Sequence, residues 1–248
     1  MFVGDISDGD IKILKKINKL QIPSYVILGN HDRGNDKSGE KLLKQIRILG
    51  EKFCGWKLKV FNNQVNILGA RPCSSGGGYY LSKEMKGVYG PLTEEESAKK
   101  IIKCSNDSIA DLPLIVLAHS GPSGLGSEPN SICGKDWKAP SLDWGDRDLS
   151  LAISVIQKKR MLDLVIFGHT HNQLKRNLGL RKMFLIDKRG TAYLNCAVVP
   201  RYLKNEKGRV LITFSWIEFE NSKLSNISQR WYDELGELIS EDKLYQAN

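Results

Sequence analysis

The sequence predicts an α/β sandwich in which two mixed β-sheets face each other and helices lie outside. Two observations carry that expectation. Apolar runs of strand length alternate with stretches whose apolar residues recur at helical spacing, the order of elements found in α/β proteins. Four of the runs stop abruptly in small and polar residues, as strands do where the chain leaves a sheet and can aim side chains into one crevice. At 248 residues, one domain over 1–248 can bury a substantial core, and α/β chains of this length are commonly single units.

The first run, Phe2-Val3, leads directly into Gly4-Asp5. A helix follows, with Ile11, Leu14, Ile17 and Leu20 on one face and Lys12, Lys15, Lys16 and Lys19 on the wet one. Asp8 and Asp10 stand at its start, where exposed amides favour acidic side chains. Residues 25–28 form the second run and end in Gly29-Asn30-His31-Asp32. Thr93 and Glu96 have the spacing of a capping box for a helix through Ile101 and Ile102. Residues 114–118 lead into His119-Ser120-Gly121, and residues 164–167 into Gly168-His169-Thr170-His171. Between these two runs a helix is expected over 148–160, with Leu151, Val155 and Ile156 inward and basic residues at its C-terminal end. From Thr191 onward the pattern changes to strands, at 193–199, 210–219 and near Ile227, with a hairpin turn at Asn221-Ser222. Residues 71–80, with their run Ser74-Ser75-Gly76-Gly77-Gly78, and residues 121–146 read as loops, which at such length shape a pocket or are partly disordered.

Lys and Arg total 37 against 28 Asp and Glu, a formal charge of +9 that favours anionic partners without identifying them. The cations are scattered in small groups such as Lys158-Lys159-Arg160 and Arg181-Lys182, which read as solvated surface. No basic stripe with interleaved aromatics stands out. The five cysteines include no Cys-x-x-Cys pair, so free thiols in a reducing compartment are expected. No apolar stretch approaches the ~18 residues of a membrane span, and the first residues lack a basic leader and apolar core. The expectation is a soluble cytoplasmic chain with no membrane partner.

Only four histidines occur, His31, His119, His169 and His171, and each follows an apolar run. One such residue is ordinarily a hydrogen-bonded structural group, whereas four at matching strand ends, joined by Asp5 and Asn30, point to a shared site. These motifs, in this order, resemble those of the calcineurin-like metallophosphoesterase family. The flanking Gly69-Ala70-Arg71-Pro72 and Asp143-Trp144-Gly145-Asp146 are similar to a subgroup from cyanobacteria and plastid-bearing organisms.

The resemblance implies a dinuclear metal centre in which Asp5 bridges two ions, Asn30, His119 and His169 complete one of them, and His171 serves the other. It also makes His31 the general acid that protonates the leaving oxygen, a role an imidazole can fill near neutral pH. Imidazole, carboxylate and amide oxygen suit manganese, iron or zinc better than calcium; manganese is favoured. Asp32 is expected to orient the loop or hydrogen-bond a ligand, and Gly4, Gly29 and Gly168 to allow close passage or positive φ. Arg33 and Arg71 are candidate phosphate contacts, though a loop arginine is more often solvated.

The family's opening Asp-x-His motif has no counterpart before Gly4. A βαβ unit takes about 30 residues, so a chain truncated at its N-terminus is expected, lacking the first strand and its crossover, with true loss of the motif as the alternative. One ion would then keep only Asp5 and His171, and a single bound ion is the further alternative. The function expected is metal-dependent hydrolysis of a phosphomonoester or phosphodiester. A small phosphoester is preferred over nucleic acid as substrate, for want of a basic aromatic platform. The competing expectation is a catalytically retired fold that acts as a protein-binding module, through the 121–146 loop with its Trp137 and Trp144.

Overall fold

The computed structural model describes residues 1–206 and 208–247. In chain order its helices and strands are α1 (Ile11–Asn18), α2 (Glu40–Leu49), β1 (Leu58–Phe61), β2 (Val65–Gly69), α3 (Lys83–Tyr89), α4 (Glu94–Asn106), β3 (Leu114–Leu117), α5 (Arg147–Ile156), β4 (Leu164–Phe167), β5 (Phe184–Ile186), β6 (Ala192–Asn195), β7 (Tyr202–Lys204), β8 (Val210–Glu220), β9 (Lys223–Asp233) and β10 (Leu238–Gln246). Six strands form a mixed sheet in the order β1-β2-β3-β4-β6-β5, and four form a second in the order β10-β9-β8-β7. In the first sheet β2, β3, β4 and β6 run parallel, with β1 and β5 antiparallel at the edges. The second is antiparallel throughout rather than mixed.

The central strands are continuous apolar runs because both of their faces are covered. Every residue of β3 and β4 is buried. Ala98 and Ile101 of α4 and Leu149, Ala152, Ile153 and Ile156 of α5 belong to the same core, and Ile227 of β9 joins it from the second sheet. Leu14 and Ile17 of α1 build a second cluster with Leu42 and Leu49 of α2, around Val26 and Leu28. No helix among the described residues is long and apolar enough to cross a membrane.

Local chemistry explains most of the boundaries, including those that differ from expectation. Asp10 caps α1, and Thr93 with Glu96 forms the full capping box of α4. Leu20 falls beyond the end of α1 and is exposed. α5 stops at Ile156, so Lys158, Lys159 and Arg160 lie outside it, and Leu151 faces solvent at 42 % exposure instead of packing inward. Arg160 is not simply solvated: its guanidinium donates to the carbonyls of Ile109, Ala110 and Leu112. The expected 193–199 strand ends at Asn195. The turn at Asn221-Ser222 has φ values of 50° and 62°, the two left-handed residues of a hairpin turn whose twist matches its strands. Near the N-terminus, residues 2 and 26 form a narrow parallel ladder with Phe53 and not full strands. Phe2 N–H donates to Tyr25 O at 2.8 Å, and Ile27 N–H to Phe2 O at 3.1 Å.

Candidate metal centre

Four chain segments turn out of the fold on one side: Gly4-Asp5 after the Phe2 bridge, Gly29 to Asp32 after the Val26 bridge, His119 after β3 and Gly168 to His171 after β4. This is the carboxyl end of the parallel strands, where α/β sheets assemble ligand sites. Close approach of these segments depends on glycine. A Cβ on Gly4, whose φ is +94°, would lie 2.5 Å from His119 Nδ1, and one on Gly29 would lie 2.2 Å from Asp5 Oδ1. Asp5 and His169 themselves take left-handed φ values of 50° and 69°, a conformation that costs a side chain free energy and that clusters at functional sites.

His119 is almost fully buried, and its Nδ1 lies 2.6 Å from the Val3 carbonyl. A carbonyl only accepts, so Nδ1 carries a proton, and the ring in its neutral form presents the Nε2 lone pair to the cleft. Around Nε2 stand Asn30 Oδ1 at 3.0 Å, Asp5 Oδ2 at 3.4 Å and His169 Nδ1 at 3.2 Å. The ligand atoms of Asp5, His119 and His169 all lie within 4.8 Å of one another. Four atoms able to donate lone pairs therefore converge, an arrangement satisfied by a shared proton or by a cation. Ligand atoms each ~2.1 Å from one ion are ~3.0–3.4 Å apart at right-angled to tetrahedral geometry, so these spacings fit a metal, and the nitrogen and oxygen donors suit manganese, iron or zinc.

Asp5 and His169 keep their ligand atoms unprotonated, whereas His119 favours the shared proton. Burial pushes the Asp5 carboxyl up, but the hydrogen bond and charge of His119, with the His31 backbone N–H, outweigh it and hold Asp5 below the usual carboxylate range. Burial lowers His119, yet the Asp5 hydrogen bond and charge and the Val3 carbonyl leave it raised. His169 is pushed down to about 3, by burial and then by the neighbouring His119 charge, which keeps its lone pair free at neutral pH. His171 stands at the exposed rim, outside this cluster; burial of its inner side and then the charge of Lys175 lower its pKa.

His31 contributes its backbone, donating to Asp5 Oδ1 at 3.0 Å, while its exposed ring has Nδ1 3.5 Å from Asp8 Oδ1. Asp32 is fully buried and orients two loops at once. Its Oδ1 accepts from the Ile6 and Ser7 amides at 3.0 and 2.7 Å, and its Oδ2 from the Gly29 amide at 2.8 Å.

Two arginines are placed differently from expectation. Arg71 is buried at 2 % exposure and does not face the cleft as a phosphate contact would. It donates to Asp148 and Asp146, each at 2.8 Å, and to the Tyr80 carbonyl, fastening the 71–80 loop to the start of α5. Burial and the adjacent Asp148 raise the Asp146 carboxyl to about 7, although Arg71 opposes the shift, because two carboxylates share one guanidinium. Arg181, which reads as surface in the sequence, is buried as well. It donates to the His171, Pro129, Ser131 and Gly134 carbonyls and pairs with Asp136 at 3.1 Å, clamping the 129–136 segment to the histidine loop. The two tryptophans of the 121–146 loop meet in the fold. Trp137 and Trp144 pack edge-on at 5.0 Å, and Lys135 Nζ stands 5.6 Å over the Trp144 ring. Arg33 lies 3.8 Å from Glu84.

Two solved structures from Thermus thermophilus are similar to this chain. TT1561 shares 10 % identity, covering 96 % of this chain and 78 % of its own at a TM-score of 0.44. A hypothetical protein shares 11 %, covering 94 % and 98 % at 0.44. No curated protein matches the sequence. The profile of the family described as calcineurin-like phosphoesterase matches residues 1–173, which include all four segments of the cleft. The chain belongs to the calcineurin-like phosphoesterase family.

Proposed function

We propose that this chain hydrolyses a phosphomonoester or phosphodiester with the help of divalent metal, manganese being favoured. The observation that carries the reading is the convergence of Asn30 Oδ1, Asp5 Oδ2 and His169 Nδ1 on His119 Nε2. Asp5, Asn30, His119 and His169 hold one ion in this reading, and His171 reaches a second from the rim. When bound, the metal supplies positive charge for the phosphoryl oxygens and lowers the pKa of water. The bond that forms joins water oxygen to phosphorus, and the bond that breaks releases the alcohol. His31, exposed at the cleft with Asp8 beside it, gives its proton to that leaving oxygen and is the general acid.

A second reading, a retired fold used for protein binding, draws support from the outer face of β8, where Ile212, Phe214 and Trp216 are exposed in alternation. Manganese-dependent hydrolysis of p-nitrophenyl phosphate and its bis-ester, with His169→Ala and His31→Ala as controls, separates the two. The enzyme reading expects turnover that His169→Ala abolishes and His31→Ala lowers by roughly 100-fold or more. Turnover equal in wild type and His169→Ala would refute it.

A further inference from the structure

Residues of β8 alternate between core and water. Leu211 and Thr213 are buried and Ile217 packs on the core, whereas Ile212, Phe214 and Trp216 point the other way and are exposed. The register carries this alternation across the antiparallel sheet, because residues directly opposite each other share a face. Tyr202 of β7 pairs with Ile212, Ile212 with Tyr232 of β9, and Tyr232 with Leu238 of β10, so one apolar row crosses all four strands. Two residues along, Phe214 stands opposite Arg230, and its ring lies 6.2 Å from that of Tyr232. Trp216 follows, with the Arg230 guanidinium 4.6 Å over its ring.

An antiparallel sheet that meets water on one face ordinarily carries polar residues there. Here Tyr202 is 70 % exposed and Phe214 54 %. At ~200 Å² for a whole aromatic side chain, Tyr202, Phe214 and Trp216 leave about 300 Å² in water. Ile212 and Leu238 extend that area, and patches of this size are often functional. The cation on the face is already neutralised: Arg230 Nε donates to Glu241 Oε1 at 2.7 Å, and Nη2 stands 3.7 Å from Glu218 Oε1. What remains is apolar surface, whose complement is another apolar sheet face.

We propose that this outer face joins two copies of the chain, stacked sheet on sheet at about 10 Å. The area is sufficient. β8 and β9 have 11 residues and β10 has 9; at ~3.4 Å per residue and ~4.8 Å between strands, four strands present about 19 by 35 Å. That is of the order of the ~800 Å² each partner buries in a stable complex. Charge also favours this side of the molecule. Residues 210–247 hold seven acidic against three basic side chains in a chain of net charge +9. Two copies meeting here therefore bring acidic surface toward a positive body. The interface does not depend on hydrolysis, and it accounts for the exposed β8 residues without a retired cleft.

The test is the mass of the full chain in solution, by light scattering and sedimentation equilibrium. Wild type is expected at twice the chain mass at ~10 μM, since interfaces of this size dissociate at micromolar concentrations or below. Phe214→Glu buries a charge in each half of the interface and should weaken association by roughly 100-fold or more. Tyr202→Glu repeats the test at a more exposed side chain. Leu151→Glu, with the same charge on the exposed side of α5, should leave the dimer intact, and circular dichroism confirms that each variant is folded. A wild-type monomer at ~100 μM overturns the proposal and leaves the face to an unlike partner. Flotation of that monomer with phosphatidylcholine–phosphatidylserine vesicles, lost in Phe214→Glu, overturns it in favour of a lipid surface. A dimer that survives both Phe214→Glu and Tyr202→Glu, or assembly that grows past two copies, overturns it as well.

Discussion

The Val3 carbonyl decides what His119 can offer the cleft. By taking the proton on Nδ1 it turns the Nε2 lone pair inward, toward Asn30, Asp5 and His169. Asp32 works one step further out, since its two oxygens position the chain on either side of Asp5 and Asn30 through the Ile6, Ser7 and Gly29 amides. Groups of this kind usually change metal affinity by roughly 10- to 100-fold when removed. Asp32→Ala is therefore expected to weaken manganese binding by that factor in a calorimetric titration, and an unchanged affinity would mean the loops hold themselves. Gly29→Ala should be more severe, because its Cβ would land on Asp5 Oδ1; loss of both metal binding and expression level is the expected result. Asp5, Asn30, His119 and His169 were legible in sequence because each stands at the end of an apolar run. The Val3 role was not, since any residue supplies a carbonyl and only the folded path shows where it points.

Buried ion pairs connect the elements that carry the cleft. Arg71 joins the 71–80 loop to α5 through Asp146 and Asp148, and removing one member of such a group leaves charge buried without a partner. Arg71→Ala is expected to lower unfolding free energy by about 3–5 kcal/mol in urea titrations; a loss below ~1 kcal/mol would show that water replaces the guanidinium. The same group sets a pH dependence. Asp146 has a folded pKa raised to about 7, above the ~3.9 of an unfolded aspartate, so its contribution is complete below the unfolded value and is lost as pH rises through the folded one. Between about pH 4 and pH 7 the melting temperature of wild type should therefore fall relative to that of Asp146→Asn, and parallel curves would contradict this assignment. Element by element, legibility followed burial pattern. α1 and α4 show helical spacing and side-chain caps. α2 starts at Gly39 without a side-chain cap, α3 is capped by Ser82 but is short and contains Gly87, and β10 is mostly exposed, so each lacks one of the signals that mark an element in sequence. Arg71 and Arg181 read like surface residues because a guanidinium's acceptors, here carbonyls and distant carboxylates, are assembled only by the fold.

At the scale of the whole molecule, one sheet end gathers what the chain spreads from residue 5 to residue 171, and the antiparallel sheet completes the core from the other side through Ile227. The formal charge of +9 provides a general attraction for phosphate esters and is consistent with the cleft's proposed substrates. A metal that binds only the folded chain stabilises it by mass action, about 2.7 kcal/mol at a hundredfold excess over the dissociation constant. Manganese should accordingly raise the melting temperature, a chelator should reverse the rise, and no shift would mean the cleft does not hold the ion. The most direct test of the central claim, that Asp5, His119 and His169 form a metal site, is equilibrium dialysis of manganese against wild type, Asp5→Asn and His169→Ala, with circular dichroism confirming that all three are folded. At least one ion bound per wild-type chain, and none at the same concentration in either variant, is the predicted result. Undiminished binding in both variants, or no binding by wild type, would contradict the account.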